Sequence, residues 1–107
     1  MDTSLATVIT DLASEVEIPK DGTLSRVLYK DDEIRLVLFA FDTDQELTEH
    51  TASRPAIVQI ISGRAELVLG EEKTVAVPGS WVHMPAHLQH AVLALEPTIL
   101  LLTLIRR

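Results

Sequence analysis

The stretch Gly79-Ser80-Trp81-Val82-His83-Met84-Pro85-Ala86-His87-Leu88-Gln89-His90 holds three of the chain's four histidines. Its punctuation is that of β structure. Gly79 tolerates positive φ and can end a turn. Ser80 to Met84 is short and apolar-rich and reads as a strand. Pro85 has no N–H to give a sheet, so it belongs at the strand end. His90 opens a returning apolar strand, Ala91 to Leu95. His83, His87 and His90 are thereby expected on a strand, a turn and the start of the next strand. Imidazoles brought together at one end of a β-sandwich or barrel suit a metal or acid–base site. The fourth histidine, His50, lies well upstream.

The same punctuation continues outward in both directions. Arg26 to Tyr29 reads as a strand, and Lys30 to Glu33 as a charged turn. Ile34 to Phe41 alternates, with Ile34, Leu36, Leu38 and Ala40 on one face and Arg35, Val37, Phe39 and Phe41 on the other. Both faces are apolar except at Arg35, so this strand is expected to be covered on both sides. Asp42 to Gln45 is a polar turn, and Glu46 to His50 leads into a loop, Thr51 to Pro55. Strands are expected at Ala56–Ser62, Arg64–Leu69, Lys73–Val77 and Thr98–Ile105. Gly63 makes a tight turn after the first, and Gly70-Glu71-Glu72 makes a hairpin loop. Before all of these, residues 1–22 read as an N-terminal arm. Thr3 or Ser4 could cap a short helix there, with Leu5, Val8, Ile9 and Leu12 on one side; Thr7 to Thr10 could equally be extended. Ile18 to Gly22 is a turn by composition.

The central stretch resembles the second motif of the cupin superfamily, G-x5-P-x-G-x2-H-x3-N. Gly79, Pro85 and His90 match it, while His87 and Ala94 stand at its second Gly and its Asn. The upstream motif, G-x5-H-x-H-x3-4-E-x6-G, is met by His50 and Gly63. Asp44, Ala52 and Ala56 stand at its opening Gly, second His and Glu. The resemblance implies an all-β fold, an antiparallel double-stranded β-helix or jelly-roll barrel, over residues 23–107. It also implies a metal inside the barrel held by three His and one Glu, of which the motif positions retain only His50 and His90. His87, three residues before His90 in a turn, is the third candidate ligand. The expected metal site is therefore His50, His87 and His90, suited to Zn²⁺, Fe²⁺, Ni²⁺ or Mn²⁺. Alanine in place of a His and the Glu makes the expected pocket more apolar, with Ala52, Ala56, Val58 and Ile60 on its wall and Trp81, His83 and Met84 about its mouth. Such a pocket suits a small organic ligand.

Composition narrows the functions further. The length of 107 residues fits one core, and 47% hydrophobic residues argue against disorder. A net charge of −7 speaks against sequence-independent nucleic-acid binding. The longest apolar run, Ile99 to Ile105 with one Thr, is too short to span a bilayer. No basic segment followed by an apolar one opens the chain, so no signal peptide is expected. The lack of cysteine excludes disulfides and thiolate ligands and fits a cytoplasmic location. No Gly-rich phosphate loop and no G-x-S-x-G motif is present. The expected protein is a small-molecule-binding cupin, with or without a divalent metal, that forms a homodimer through its arm and the strand Ile34 to Phe41. The alternatives are a metal-dependent dioxygenase, isomerase or lyase acting on a small organic acid, and a purely structural dimerisation domain.

Overall fold

A computed structural model describes residues 5–106, with the backbone alone for Glu49 and His50. The proposed caps Thr3 and Ser4 lie outside the described residues. Nine strands follow one short 3₁₀ turn at Leu12–Glu15. They are β1 (Thr23–Lys30), β2 (Ile34–Phe41), β3 (Glu46–His50), β4 (Ala56–Ser62), β5 (Ala65–Leu69), β6 (Glu72–Ala76), β7 (Trp81–Met84), β8 (His90–Ala94) and β9 (Thr98–Ile105). One sheet runs β1-β2-β9-β4-β7, and the other runs β3-β8-β5-β6. Every ladder is antiparallel. The two sheets face each other as a jelly-roll β-sandwich, the expected fold class.

Period-two alternation decides what each sheet face carries. Phe41, Ala56, Val58, Ile60, Leu67, Met84, Val92 and Leu100 are buried in one cluster, with Phe39, Leu102 and Leu104 packed against it. This is the space between the sheets. The opposite face of β2 and β9 builds a second cluster from Leu38, Ala40, Ile99 and Leu101. That face is covered by the chain's own N-terminal segment, through Leu12, Ala13, Val16 and Ile18. The doubly apolar β2 is thus covered on both sides, as its sequence requires. It also lies between β1 and β9, so neither of its edges is open.

Residues 5–9 carry no regular structure, and the 3₁₀ turn has no side-chain cap from Asp11. A continuous helix over Leu5, Val8, Ile9 and Leu12 is not formed. β-Branched residues cluster at Thr7, Val8, Ile9 and Thr10, which disfavours helix. The segment instead spreads along the sheet and is tied to it by Arg26 Nη1, which donates to Glu15 O at 2.6 Å. No helix among the described residues is long and apolar enough to cross a membrane.

Candidate functional site at the open end of the barrel

The antiparallel registers bring distant parts of the chain to one end. β3 finishes there, β4 starts there, and the turn between β7 and β8 lies there. The backbones of His50 and His90 are direct partners across β3 and β8. The His50 side chain lies outside the described residues. His90 is buried. Its ring Nδ1 lies 3.0 Å from Leu88 O. A carbonyl only accepts, so in the neutral ring Nδ1 carries the proton and Nε2 the lone pair. This is the way a metal-ligating or proton-accepting imidazole is commonly oriented.

His90 lines an interior cavity together with Phe39, Phe41, Val58, Met84 and Leu102. The cavity measures about 20 Å³, room for a single water molecule. Both phenylalanines of the chain fill this space, their rings stacked with centroids 5.9 Å apart. The barrel interior is filled rather than hollow.

The remaining expected site residues divide by strand face. Val58 and Met84 line the cavity, and Ala56 and Ile60 are buried along the same inward row. On β7, Val82 and Met84 pack inward, so Trp81 and His83 must point outward. Both are exposed, opposite Gln59 and Ile57 respectively. The structure therefore does not bring Trp81 and His83 together with His90. His87 is exposed on the β7–β8 turn, and its N–H donates to Ala52 O at 2.7 Å. Among the described residues no three His, Cys, Asp or Glu side chains cluster as a metal would need. Ala52 and Ala56 supply no donor at two of the four ligand positions the motifs imply. The residues present do not fit the four-ligand centre.

A larger chamber opens at the same end, with a volume of about 420 Å³. Ala52 and Ser53 form part of its wall, and Leu104 faces it from β9. Leu102, the next inward residue on β9, lines the interior cavity, so the chamber lies one strand step outside it. Arg35, Arg54 and Arg106, with Asp32 and Ile105, complete the wall. Sequence reasoning did not assign these arginines to the site. One signal was present: Arg35 is the single charge on the otherwise apolar inward row of β2. Arg54 and Arg106 come from a loop and a strand end, and only the folded chain places them beside Arg35.

The β1–β2 turn buttresses this chamber. Asp31 accepts from the N–H groups of Glu33 at 2.8 Å and Ile34 at 2.9 Å and from the Tyr29 hydroxyl at 2.7 Å. The Ile34 N–H first, then the Tyr29 hydroxyl and the Glu33 N–H, hold the Asp31 carboxyl below its ordinary pKa. The same hydrogen bond to Asp31 pushes the Tyr29 phenol above its ordinary value.

Backbone geometry explains why the motif spacing survives where its residues do not. Gly63 and Gly79 have φ of 88° and 94°. Asp44 and His87, which stand where the motifs have Gly, have φ of 67° and 68°. All four positions keep the left-handed conformation that glycine adopts without strain and that Asp and His visit more readily than most residues.

Known structures share this architecture throughout. The conserved SPY1581 protein of unknown function from Streptococcus pyogenes superposes with a TM-score of 0.85 at 31% identity, covering 99% of this chain and 93% of that one. The two proteins belong to one family. A cupin superfamily protein from Desulfitobacterium hafniense matches with a TM-score of 0.86 at 23% identity, over 96% of this chain and 94% of that one. This chain has the cupin fold. KdgF from a Halomonas species has the same fold, with a TM-score of 0.79 at 24% identity, over 90% of this chain and 93% of that one. No protein-family model matches the sequence, and no curated protein matches it. In this chain His50 and His90 lie at strand ends, and Gly63 and Gly79 lie in the turns that follow or precede strands.

Proposed function

We propose that this cupin binds a small organic ligand at the open end of its barrel, with Ala52 on the chamber wall and Ala56, Val58, Met84 and His90 beneath it. The observation that carries this reading is the chamber, whose volume of about 420 Å³ falls in the range of small-molecule sites. The interior cavity is too small for such a ligand without rearrangement. Binding therefore begins in the chamber, and His90 offers the nearest buried polar group. The lack of cysteine supports a cytoplasmic setting. The test is a fragment titration followed by amide chemical shifts. Perturbations should gather at Ala52, Leu104 and His90. A response confined to Trp81 and His83 would place ligand binding on the outer face and end this reading.

A divalent metal at His50, His87 and His90 is the second reading, favoured by the backbone pairing of His50 with His90 and by the ring orientation of His90. With two alanines at ligand positions the site would hold metal weakly and lose it as pH falls through about 6, where free imidazoles take up protons. Metal content by mass spectrometry after Zn²⁺ loading checks it. Zn²⁺ taken up by the wild type should be lost in His90→Ala and retained in His83→Ala, because His83 faces outward. Loss in His83→Ala alone would assign a different ligand set.

A homodimer is part of the same proposal, with edge strand β1 in place of the expected strand Ile34 to Phe41, which lies between β1 and β9. Leu24 and Val27 on edge strand β1 and Leu5 and Val8 in the N-terminal segment are exposed apolar side chains that a second copy would cover. Light scattering at micromolar concentration should give twice the monomer mass.

A further inference from the structure

We propose that the chamber is an anion site, in which Arg35, Arg54 and Arg106 hold the carboxylate or phosphate group of the small ligand. This inference rests on the reading that the open end binds a small molecule, and it names the chemistry recognised there.

The chain carries 9 Lys and Arg against 16 Asp and Glu. Three of the nine basic residues nonetheless meet around one chamber, with Asp32 the one acidic side chain in its lining. A cationic concavity on an otherwise acidic surface concentrates small anions locally.

Among the described residues the one ion pair is Arg64 with Glu96, and Arg64 lies at the opposite end of the barrel. Arg35, Arg54 and Arg106 meet no carboxylate of a described residue at ion-pair distance. The neighbouring Asp31 carboxylate is occupied by the Ile34 and Glu33 N–H groups and the Tyr29 hydroxyl, and it adds only a charge interaction to Arg106.

Arg54 Nη1 donates to Arg106 O, and Arg106 Nη1 donates to Asp31 O. Each guanidinium has five N–H donors, so one anchoring bond fixes its place and leaves a donor face over. Arg35 pairs with Leu104 across β2 and β9 and stands on the inward row that continues through Val37, Phe39 and Phe41. The planar fork of a guanidinium matches the two oxygens of a carboxylate or phosphate, and the Ser53 hydroxyl at the wall can add a neutral donor.

The experiment titrates the full chain with inorganic phosphate, with malonate and, as a neutral comparison, with glucose, at low ionic strength because exposed charges are screened by salt. Amide and arginine Nε–H shifts are read in the same spectra. Phosphate or malonate should bind saturably at Arg35, Arg54 and Arg106, and the tighter of the two identifies the group recognised. Arg35→Ala should weaken that binding by about tenfold, the usual effect of removing one charged hydrogen-bond partner. Arg35→Gln, which keeps the side chain's length and polarity, should weaken it comparably and guards against a general disturbance of the strand. Arg64→Ala should leave it unchanged. An unchanged affinity in Arg35→Ala, or an equal loss in Arg64→Ala, would overturn the inference. If neither anion binds while neutral fragments still perturb Ala52 and Leu104, the anion site falls and the ligand reading stands. If nothing binds there, both fall.

Discussion

Where β2 passes to β3 and β4 to β5, the barrel end is knitted shut; where β3 passes to β4, it stands open. At the closed end Thr98 is fully buried, and its hydroxyl accepts from Arg64 N–H at 3.1 Å. The same oxygen lies 2.7 Å from Glu96 O and 3.0 Å from Arg64 O, and its single proton serves one of the two at a time. Ala65 and Ala94 are wholly buried beside it, small enough to let the sheets close. At the open end the matching positions are a loop, a turn and three arginines. One hydrogen bond there runs from loop backbone to loop backbone, His87 N–H to Ala52 O, and others tie Arg54 and Arg106 to backbone carbonyls. One end thus spends its polar groups on holding the fold. The other gathers three arginines around a chamber at its loops, the usual division between scaffold and binding loops.

The largest break in this contrast should come at Gly63. Its φ of 88° is paired with a close approach, since a Cβ there would lie 2.2 Å from Pro97 O and 2.5 Å from Thr98 Oγ1. Gly79 has a similar φ of 94° but open space around it. Gly63→Ala should therefore cost roughly 3 kcal/mol or more, combining left-handed strain with a backbone clash. Gly79→Ala should cost about 1 kcal/mol, from strain alone. Urea denaturation of the two variants measures both. Equal losses would mean that the closed end relaxes around an added methyl and is not tightly knitted.

His87 supplies the counterpart at the open end, with a smaller effect of opposite sign. It holds φ of 68° and an exposed side chain. His87→Gly should relieve the strain and, after the extra freedom of glycine in the unfolded chain is subtracted, stabilise the fold by about 0.5 kcal/mol. His87→Ala keeps the strained backbone and should give no such gain. If the two variants have the same stability, the left-handed turn carries no strain worth relieving.

The legibility of this chain followed what its residues are constrained by. β2, β4 and β9 run over the residues that alternation and punctuation assign them, because a strand buried on both faces or flanked by Gly and Pro has few other solutions. The double burial of β2 was readable from Leu36, Leu38 and Ala40 opposing Val37, Phe39 and Phe41. That the covering element would be the chain's own Leu12 to Ile18 was not, because apolar residues on a short segment do not say which surface they meet. At the site, period two placed Val58 and Met84 inward once register was known, and register also sent Trp81 and His83 outward. The sequence alone left that register open. The arginines were hidden for a different reason: Arg35, Arg54 and Arg106 are far apart along the chain, and their meeting depends on β2, β9 and the β3–β4 loop sharing one end.

The finest test of the contrast uses acid and base, because each end carries a carboxylate held in a turn. Asp42, at the closed end, accepts from Asp21 N–H at 2.7 Å and Thr43 N–H at 2.8 Å, and these two bonds, the Asp21 one foremost, lower its pKa. Asp31, at the open end, is lowered by the Ile34 N–H, the Tyr29 hydroxyl and the Glu33 N–H. A carboxyl with a depressed folded pKa binds its proton more readily in the unfolded chain. Its contribution is complete above the unfolded value of about 3.8 and is lost as pH falls through the lower folded value. Stability should therefore bend downward below about pH 4, and Asp31→Asn and Asp42→Asn should each make that bend shallower. The two ends then separate at high pH. Tyr29 is the only tyrosine of the chain, so phenolate absorbance reports it alone. Its raised pKa, due first to the bond it donates to Asp31, marks a contribution present below the unfolded value of 10.0 and lost as pH rises through the folded one. Asp31→Asn removes the negative charge and weakens the acceptor, so the tyrosine should ionise at lower pH. Asp42→Asn, with no contact to Tyr29, should leave its titration where it is. A Tyr29 titration that moves equally in both variants would mean that the two turns communicate through the sheet, and that the open end is not the separate structural unit this contrast makes it.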